Sequence, residues 1–410
     1  MDERIYGLLG RKLGHSWSVP IHAALGNGAY RLLELEPDGL APFLHRKDIG
    51  GLNVTIPYKR DVMPLCDEID PAAEAIGSVN TIVRCADGKL VGYNTDIDGF
   101  LYMACRAGIS LSGKKVVILG SGGASLTAQT AARQGGAAEV VVVSRFGPDN
   151  YDNLSRHADA EILVNATPVG MYPGNGQSPV DLSVFPVCQG VLDVIYNPRR
   201  TALLLQGAAR GIPCSDGLPM LVAQAAKSSE QFTGQAISQS VQDTIVAQVG
   251  AEMENWVLIG MPGCGKTRIG QLLAQRTGRP FVDGDRELEV RSGMPIPVFF
   301  SRYGEAAFRD LEAQVLQDLG KGSGQVIATG GGCVTREENY LSLRQNGKII
   351  WIQRPLNLLS IQGRPLSQEM GLEELFKARR SLYARFAGCT VSNAGTFEEV
   401  IQQILEVTAP

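Results

Sequence analysis

Two glycine loops of different design constrain the fold of this chain more than any other feature. One is "VVILGSGGAS", with Gly120, Gly122 and Gly123; the other is "WVLIGMPGCGKT", with its loop running from Gly260 to Thr267. Each follows an apolar, β-branched run and precedes a helical stretch. A strand that feeds a helix through a tight turn belongs in a parallel sheet, because the helix must carry the chain back before the next strand can pair. Glycine suits such turns by tolerating left-handed backbone angles and letting a ligand approach the main chain. Two loops of different design call for two nucleotide sites. The chain's 410 residues exceed the roughly 100–200 of one ordinary domain.

The rest of the sequence alternates in the same way. "RIYGLLG", "GGLNVTIPYK", "KKVVILG", "EVVVVSR", "EILVNAT" and "GVLDVIY" read as strands. "ASLTAQTAARQGG", "LPMLVAQAAKSSEQFTG" and "AISQSVQDTIVAQV" read as helices. The expected class is α/β. An N-terminal α/β substrate lobe is expected over 1–105, completed by helices over 218–248, with a Rossmann-like dinucleotide lobe over 106–217. "GAEMEN" reads as a linker at 249–254, before a P-loop domain with a parallel sheet over 255–410.

Composition excludes several classes. A net charge of -4 offers no attraction to nucleic acid or an anionic membrane. No apolar stretch approaches the ~20 residues that span a bilayer. The acidic start "MDERIYGLLG" lacks the plan of a signal peptide, so a cytoplasmic location is expected. Eight cysteines include no C-x-x-C pair, which suggests neither a zinc site nor a disulfide framework and fits a reducing compartment. The last of the four histidines is His157, so no histidine can serve as a general base in the second half. Nothing in the chain indicates an oligomeric state.

In the first loop, Gly120, Gly122, Gly123 and Ala124 lead into a helix whose N-terminal N–H groups favour a pyrophosphate. The next strand ends at Ser144 and Arg145, where an acidic residue would have received the ribose of NAD. An arginine there suits the 2′-phosphate of NADP. Further stretches are hard to explain by packing. "HSWS" offers Ser16 and Ser18; "NVTIPYK" offers Asn53, Thr55 and Lys59; "SVNT" and "YNTDIDGF" add Asn80, Thr95 and Asp96. A lysine and an aspartate among hydroxyl and amide ligands make a proton-transfer pair beside a polyhydroxylated substrate.

These stretches, with "NATPVGM", "YNPRRTALL" and "GLPMLVAQA", make residues 1–248 resemble shikimate dehydrogenase. The resemblance implies that Ser16, Ser18 and Tyr196 hold a carboxylate, and that Thr55, Asn80, Asp96 and Gln224 bind ring hydroxyls. It implies Lys59 with Asp96 as the acid/base pair, and adds Asn165, Thr167 and Gly217 to the NADP site.

The second loop fits G-x-x-x-x-G-K-[ST], with strand before and helix after. Gly260, Gly263, Cys264 and Gly265 frame it, Lys266 reaches the β- and γ-phosphates, and Thr267 binds Mg²⁺. Cys264 is a filler, since the loop works through backbone N–H groups. "FVDGDRE" sets Asp283 and Asp285 on opposite faces if extended, one for metal and one for substrate. "GEAAFRDLE" offers Arg309 on a helix, "ATGGGCV" exposes Gly331 and Gly332, "GRPL" gives Arg364 and "ARRSLY" gives Arg379.

This set resembles shikimate kinase over residues 255–408. The resemblance implies Mg²⁺ at Thr267 and Asp283, and Asp285 on the ring hydroxyls as the group receiving the 3-OH proton. Arg309 and Arg379 would clamp a carboxylate beside Gly331 and Gly332, with Arg364 closing from a lid. Together the halves imply NADPH-dependent reduction of 3-dehydroshikimate, then ATP-dependent phosphorylation of shikimate. Two other readings stand beside this one: a quinate-tolerant dehydrogenase joined to another small-metabolite kinase, and a ligand sensor built from dead enzymes. Retention of Lys59, Asp96, Lys266 and Asp285 speaks against the sensor.

Overall fold

The computed structural model describes residues 4–14, 16–359 and 371–409, which form two units. The first comprises Met1–Val169, Ser178–Tyr196 and Gln206–Val249; the second comprises Gly170–Gln177, Asn197–Leu205 and Gly250–Pro410.

The first unit holds two sheets. One contains β1 (Ile5–Gly10), β2 (Arg31–Glu34), β3 (Ile49–Val54), β4 (Glu68–Ile69), β5 (Thr81–Arg84) and β6 (Leu90–Tyr93). Its order is β2-β1-β3-β5-β6-β4, with β5 antiparallel to both β3 and β6. Every residue of β3 is buried, and Leu9, Ile49, Leu52, Val54 and Ile82 share its core. The short helices α1 (Ser18–Ala24), α2 (Leu40–Leu44) and α3 (Pro71–Ile76) join these strands. The longer α4 (Asp96–Arg106) leads to the second sheet.

That sheet contains β7 (Lys115–Leu119), β8 (Glu139–Val143), β9 (Ile162–Asn165), β10 (Gly190–Asp193) and β11 (Cys214–Ser215). It is wholly parallel, in the order β11-β10-β9-β7-β8. Strands covered on both faces read as unbroken apolar runs, and "KVVIL" and "EVVVV" are such runs. The helix α5 (Gly123–Gln134) joins β7 to β8. The chain leaves β7 toward β8 on one side and returns to β9 on the other. A crevice therefore opens beyond the carboxyl ends of β7 and β9, where open α/β sheets bind ligands.

After α6 (Ala202–Ala209) and β11 comes α7 (Leu218–Thr233), which packs on α4, α1, β3 and β5. A late helix thus packs against the strands and helices of the first sheet. Next, α8 (Gln239–Met253) runs through most of the stretch expected to be a linker. Gly250 and the polar residues around it suggest a break. The helix continues because Val249 and Met253 are buried apolar residues on it.

The second unit has one parallel sheet, made of β12 (Asn255–Ile259), β13 (Phe281–Asp283), β14 (Val326–Ala328), β15 (Gly347–Gln353) and β16 (Cys389–Ser392). The order is β13-β14-β12-β15-β16. All of β12 is buried, so its carboxyl end delivers the phosphate loop from the middle of the sheet. Among the described residues its helices are α9 (Lys266–Thr277), α10 (Gly284–Ser292), α11 (Ile296–Lys321), α12 (Glu337–Arg344), α13 (Leu372–Phe386) and α14 (Phe397–Thr408). Gly304, with φ 79°, breaks α11 into two helical runs. The stretches Gly170–Gln177 and Asn197–Leu205, expected in the dinucleotide lobe, belong to this unit. Asn175 donates to Gln345 Oε1 at 2.8 Å, the Arg199 N–H to Asn346 Oδ1 at 3.0 Å, and Arg200 pairs with Glu254 at 2.7 Å.

Candidate active sites

In the first unit, Lys59 follows β3 and Asp96 opens α4, where a negative charge suits the helix N-terminus. The Lys59 ammonium donates to Asp96 Oδ2 at 2.6 Å. Asn80, buried just before β5, donates to Asp96 Oδ1 at 2.9 Å and to Gln224 Oε1 at 3.3 Å. Four of the expected residues therefore meet through hydrogen bonds. Ser16 donates to Ser18 Oγ at 3.1 Å, and Ser18 begins α1. Thr55 follows β3, its N–H held by the Leu9 carbonyl at 2.9 Å. Tyr196 follows β10, and burial raises the pKa of its hydroxyl.

The residues expected to hold a dinucleotide gather at the β7/β9 crevice and the adjoining strand ends. Gly120 has φ 104°, and a Cβ there would lie 3.0 Å from the Ala166 carbonyl oxygen. Beside Gly122 and Gly123 an added Cβ would meet only open space. Gly122 precedes α5 without a side-chain cap, so Gly123 and Ala124 present their N–H groups to a ligand. Asn165 is fully buried. Its amide donates to both carboxylate oxygens of Asp193 at 3.1 Å, and its Oδ1 accepts from the Thr167 hydroxyl at 2.7 Å. Asn165 thus shapes the loop on which Thr167 sits. Ser144 and Arg145 follow β8, with the exposed guanidinium 5.7 Å from the Phe146 ring. Gly217 is forced by contact, since a Cβ there would lie 2.1 Å from the Val194 carbonyl oxygen.

In the second unit, Gly260, Gly263 and Gly265 all have positive φ, of 145°, 82° and 98°. The loop they form turns its carbonyls inward onto Lys266, whose ammonium donates to Gly260 O at 2.9 Å and Met261 O at 3.1 Å. Cys264 is fully buried, and its carbonyl accepts from Asn393 Nδ2 at 2.7 Å. It braces the loop. Thr267 donates to Asp283 Oδ2 at 2.7 Å. The extended reading of "FVDGDRE" does not hold. The strand stops at Asp283, which caps α10 by accepting the Asp285 and Arg286 N–H groups at 3.0 and 3.3 Å. Asp285 lies in the first helical turn, because capping by Asp283 offers those N–H groups partners that an extended chain would lack there.

A cavity of about 480 Å³ is lined by Gly263, Lys266, Thr267, Asp285, Arg309, Gly331, Gly332 and Arg379, together with Phe300 and Phe308. Gly332 is where it is because a Cβ would lie 2.2 Å from the Arg309 guanidinium. Arg379 donates to the Gly331 carbonyl at 3.1 Å. Glu312 was not foreseen as a site residue, although it ends the quoted "GEAAFRDLE" one turn beyond Arg309. It is buried and accepts from Arg309 at 2.6 Å. Burial, helped by Asp283 and Glu312 and opposed by Lys266 and Arg309, pushes the Asp285 carboxyl up to about 6. Arg364 lies outside the described residues.

Thr267 and Asp283 fit a magnesium ion by their chemistry. Mg²⁺ takes a hydroxyl and one or two carboxylates, completing its shell with water and nucleotide phosphate. Among the described residues no helix is long and apolar enough to cross a membrane.

Two family models match the chain: the shikimate dehydrogenase substrate binding domain over residues 8–82, and shikimate kinase over residues 262–409. The shikimate dehydrogenase (NADP(+)) of Clostridium perfringens (strain SM101 / Type A) is 36% identical over 267 residues, covering 60% of this chain and 98% of that protein. Among solved structures, shikimate 5-dehydrogenase from Thermus thermophilus, in complex with NADP(H) and shikimate, is 32% identical with a TM-score of 0.54. That match covers 60% of this chain and 99% of the other. Quinate dehydrogenase from Corynebacterium glutamicum, in complex with NAD, is 27% identical with a TM-score of 0.54, covering 60% and 99%.

Proposed function

This chain belongs to the shikimate dehydrogenase family, with a segment matching shikimate kinase behind it, and from that premise we propose that it catalyses two consecutive reactions. The first reduces 3-dehydroshikimate to shikimate with NADPH. The second phosphorylates shikimate at its 3-hydroxyl with ATP.

In the first reaction NADPH supplies the hydride that reaches C3. The Lys59 ammonium stabilises the charge growing on the C3 oxygen and gives it a proton. Asp96 orients Lys59 and accepts from a neighbouring ring hydroxyl. Asn80, Thr55 and Gln224 hold the remaining hydroxyls, and Ser16, Ser18 and Tyr196 the carboxylate. Gly120, Gly122, Gly123, Ala124, Thr167 and Gly217 cradle the dinucleotide, with Asn165 fixing the loop and Ser144 and Arg145 on the 2′-phosphate.

In the second reaction the phosphate loop and Lys266 position ATP, and Thr267 and Asp283 would hold Mg²⁺, which would supply neutralisation of phosphate charge. Asp285 takes the proton of the 3-hydroxyl as the hydroxyl oxygen attacks the γ-phosphorus of ATP and ADP leaves. A carboxyl raised toward neutrality is a better base there than one at its ordinary value. Arg309 and Arg379 hold the carboxylate by their planar forks. The observation that carries the reading is the single cavity onto which Lys266, Asp285, Arg309 and Arg379 all face.

The test is to incubate the protein with 3-dehydroshikimate, NADPH, ATP and Mg²⁺ and weigh the products. Shikimate 3-phosphate is expected. Shikimate alone would remove the kinase assignment, and unchanged substrate would remove the dehydrogenase. Because a quinate dehydrogenase shares the fold, quinate and NAD are run beside shikimate and NADP; equal turnover would sink the narrower substrate assignment.

A further inference from the structure

Phe146 is not among the residues expected to hold the dinucleotide. Its ring is 94% exposed, more than any other large apolar side chain among the described residues. A loose loop lets such a ring fold back onto apolar surface. This loop is pinned instead. The Ser144 N–H donates to the Asp149 carbonyl at 3.1 Å. The side-chain amide of Asn150 donates to the Gly147 carbonyl at 3.2 Å, and that of Asn153 to the Pro148 carbonyl at 2.9 Å. Asn153 Oδ1 accepts from the Asn150 N–H at 2.9 Å, and Asp149 Oδ1 lies 2.8 Å from His157 Nε2. The turn is held by its own bonds, and the ring stays in water.

The sheet sets where that ring stands. The Gly120 N–H donates to the Val143 carbonyl at 2.8 Å, which joins the end of β8 to the first glycine loop. A dinucleotide whose pyrophosphate lies on Gly122 and Gly123 carries its adenosine over the end of the next strand, which is β8. Ser144 and Arg145 stand there for the ribose phosphate, and Phe146 is the next residue. The guanidinium carbon of Arg145 lies 5.7 Å from the Phe146 ring centroid. A cation and a bare π surface side by side suit a purine nucleotide with a phosphate on its ribose.

We propose that Phe146 is the stacking platform for the adenine of the coenzyme, and that it serves NADPH and NADH alike. The proposal deepens the reading of the first unit as a dinucleotide-dependent reductase and rests on it. Arg145 meets the 2′-phosphate, which only NADPH carries. The ring meets the base, which both carry. Phe146 thus supplies affinity, and its neighbour supplies discrimination.

Phe146→Ala, Phe146→Trp and Arg145→Ala in the full chain test it. Binding is read from the fluorescence of the reduced nicotinamide, with no substrate added and with ADP and Mg²⁺ filling the kinase site. Phe146→Ala should weaken NADPH and NADH by the same factor, about tenfold, as for loss of one base–aromatic stack. Phe146→Trp, which keeps a π face, should restore both. Arg145→Ala should weaken NADPH alone. The ring is almost wholly in water, so the Phe146 variants should melt at the parent's temperature. Unchanged binding of both coenzymes to Phe146→Ala overturns the platform. So does a loss confined to NADPH, which would make the ring a support for Arg145 only. A parent chain that binds both coenzymes and leaves 3-dehydroshikimate unreduced would overturn the reductase reading, and the binding ratios would still judge Phe146. A parent that binds neither coenzyme overturns both.

Discussion

A methyl group added to Gly330 would meet Oδ1 of Asp285 and Oε1 of Glu312, each at 2.7 Å. The two carboxyl groups thus converge on one bare α-carbon beside the kinase cavity. A Gly330→Ala variant must push one of them aside, and with it the proposed base or the partner of Arg309. Displacement of a reacting group by ~1 Å costs about a hundredfold in rate. Kinase kcat/KM should fall by about that factor, while 3-dehydroshikimate reduction is unchanged. An unaffected kinase would show that the carboxyls have room to spare.

The Asp285 carboxyl, raised to about 6, is a base only when ionised. Kinase kcat/KM should therefore decline as pH falls through about 6, and Asp285→Asn should abolish both the activity and this limb. For stability the sign is opposite. The folded chain holds this proton to higher pH than the unfolded chain, so the neutral form's contribution is present at low pH and is lost as pH rises toward 6. The pH–rate profile measured with saturating ATP decides the first point.

Lys59 and Lys266 lie in different units and make no bond in common. Lys59→Ala should lose the reduction and keep the phosphorylation of added shikimate. Lys266→Ala should do the reverse. Separate assays on each variant check this, and loss of both activities in either would mean the halves depend on each other catalytically.

His22 is buried, stacked on Tyr30 at 3.8 Å between ring centroids, and burial lowers its pKa to about 4. The unfolded chain binds this proton near pH 6.5. Stability from the neutral ring is thus full above that value and is lost as pH falls toward 4. His22→Phe keeps the stack and removes the titration. Its melting temperature should depend less on pH across that window, by up to about 1.4 kcal/mol per pH unit.

Arg200 donates to Glu254 at 2.7 Å, and both side chains are mostly covered. Arg200→Ala should destabilise the second unit by about 1–3 kcal/mol, the effect of a buried acceptor left without its partner. Calorimetry would show the later or earlier of two transitions moving alone. Equal movement of both would contradict the division into units.

The glycine loops were legible because local geometry demands them. Positive φ at Gly120, Gly260, Gly263 and Gly265, and bare approach at Gly332, leave no other residue type comfortable. Lys59, Asp96 and Asn80 could be named from short motifs. Their joining could not, since the bonds between them span 37 and 16 residues. Asp285 was misplaced by one local competition, in which Asp283 offers helical N–H groups a cap and turns an extended run into a helix start. Strand order is equally a matter of distant pairing: nothing in "WVLIG" says that it lies between β14 and β15.

Because the second unit includes Gly170–Gln177 and Asn197–Leu205 as well as Gly250–Pro410, its pieces leave the ribosome in three instalments. The early pieces emerge before β12 exists, and the late body closes around chain that has long been waiting. At 5–20 residues per second, roughly, that wait lasts several seconds. A gene cut at codon 250 would give a second polypeptide lacking two parts of its own body. Its Gln345 and Asn346 would be stripped of their partners from the birth of the fragment.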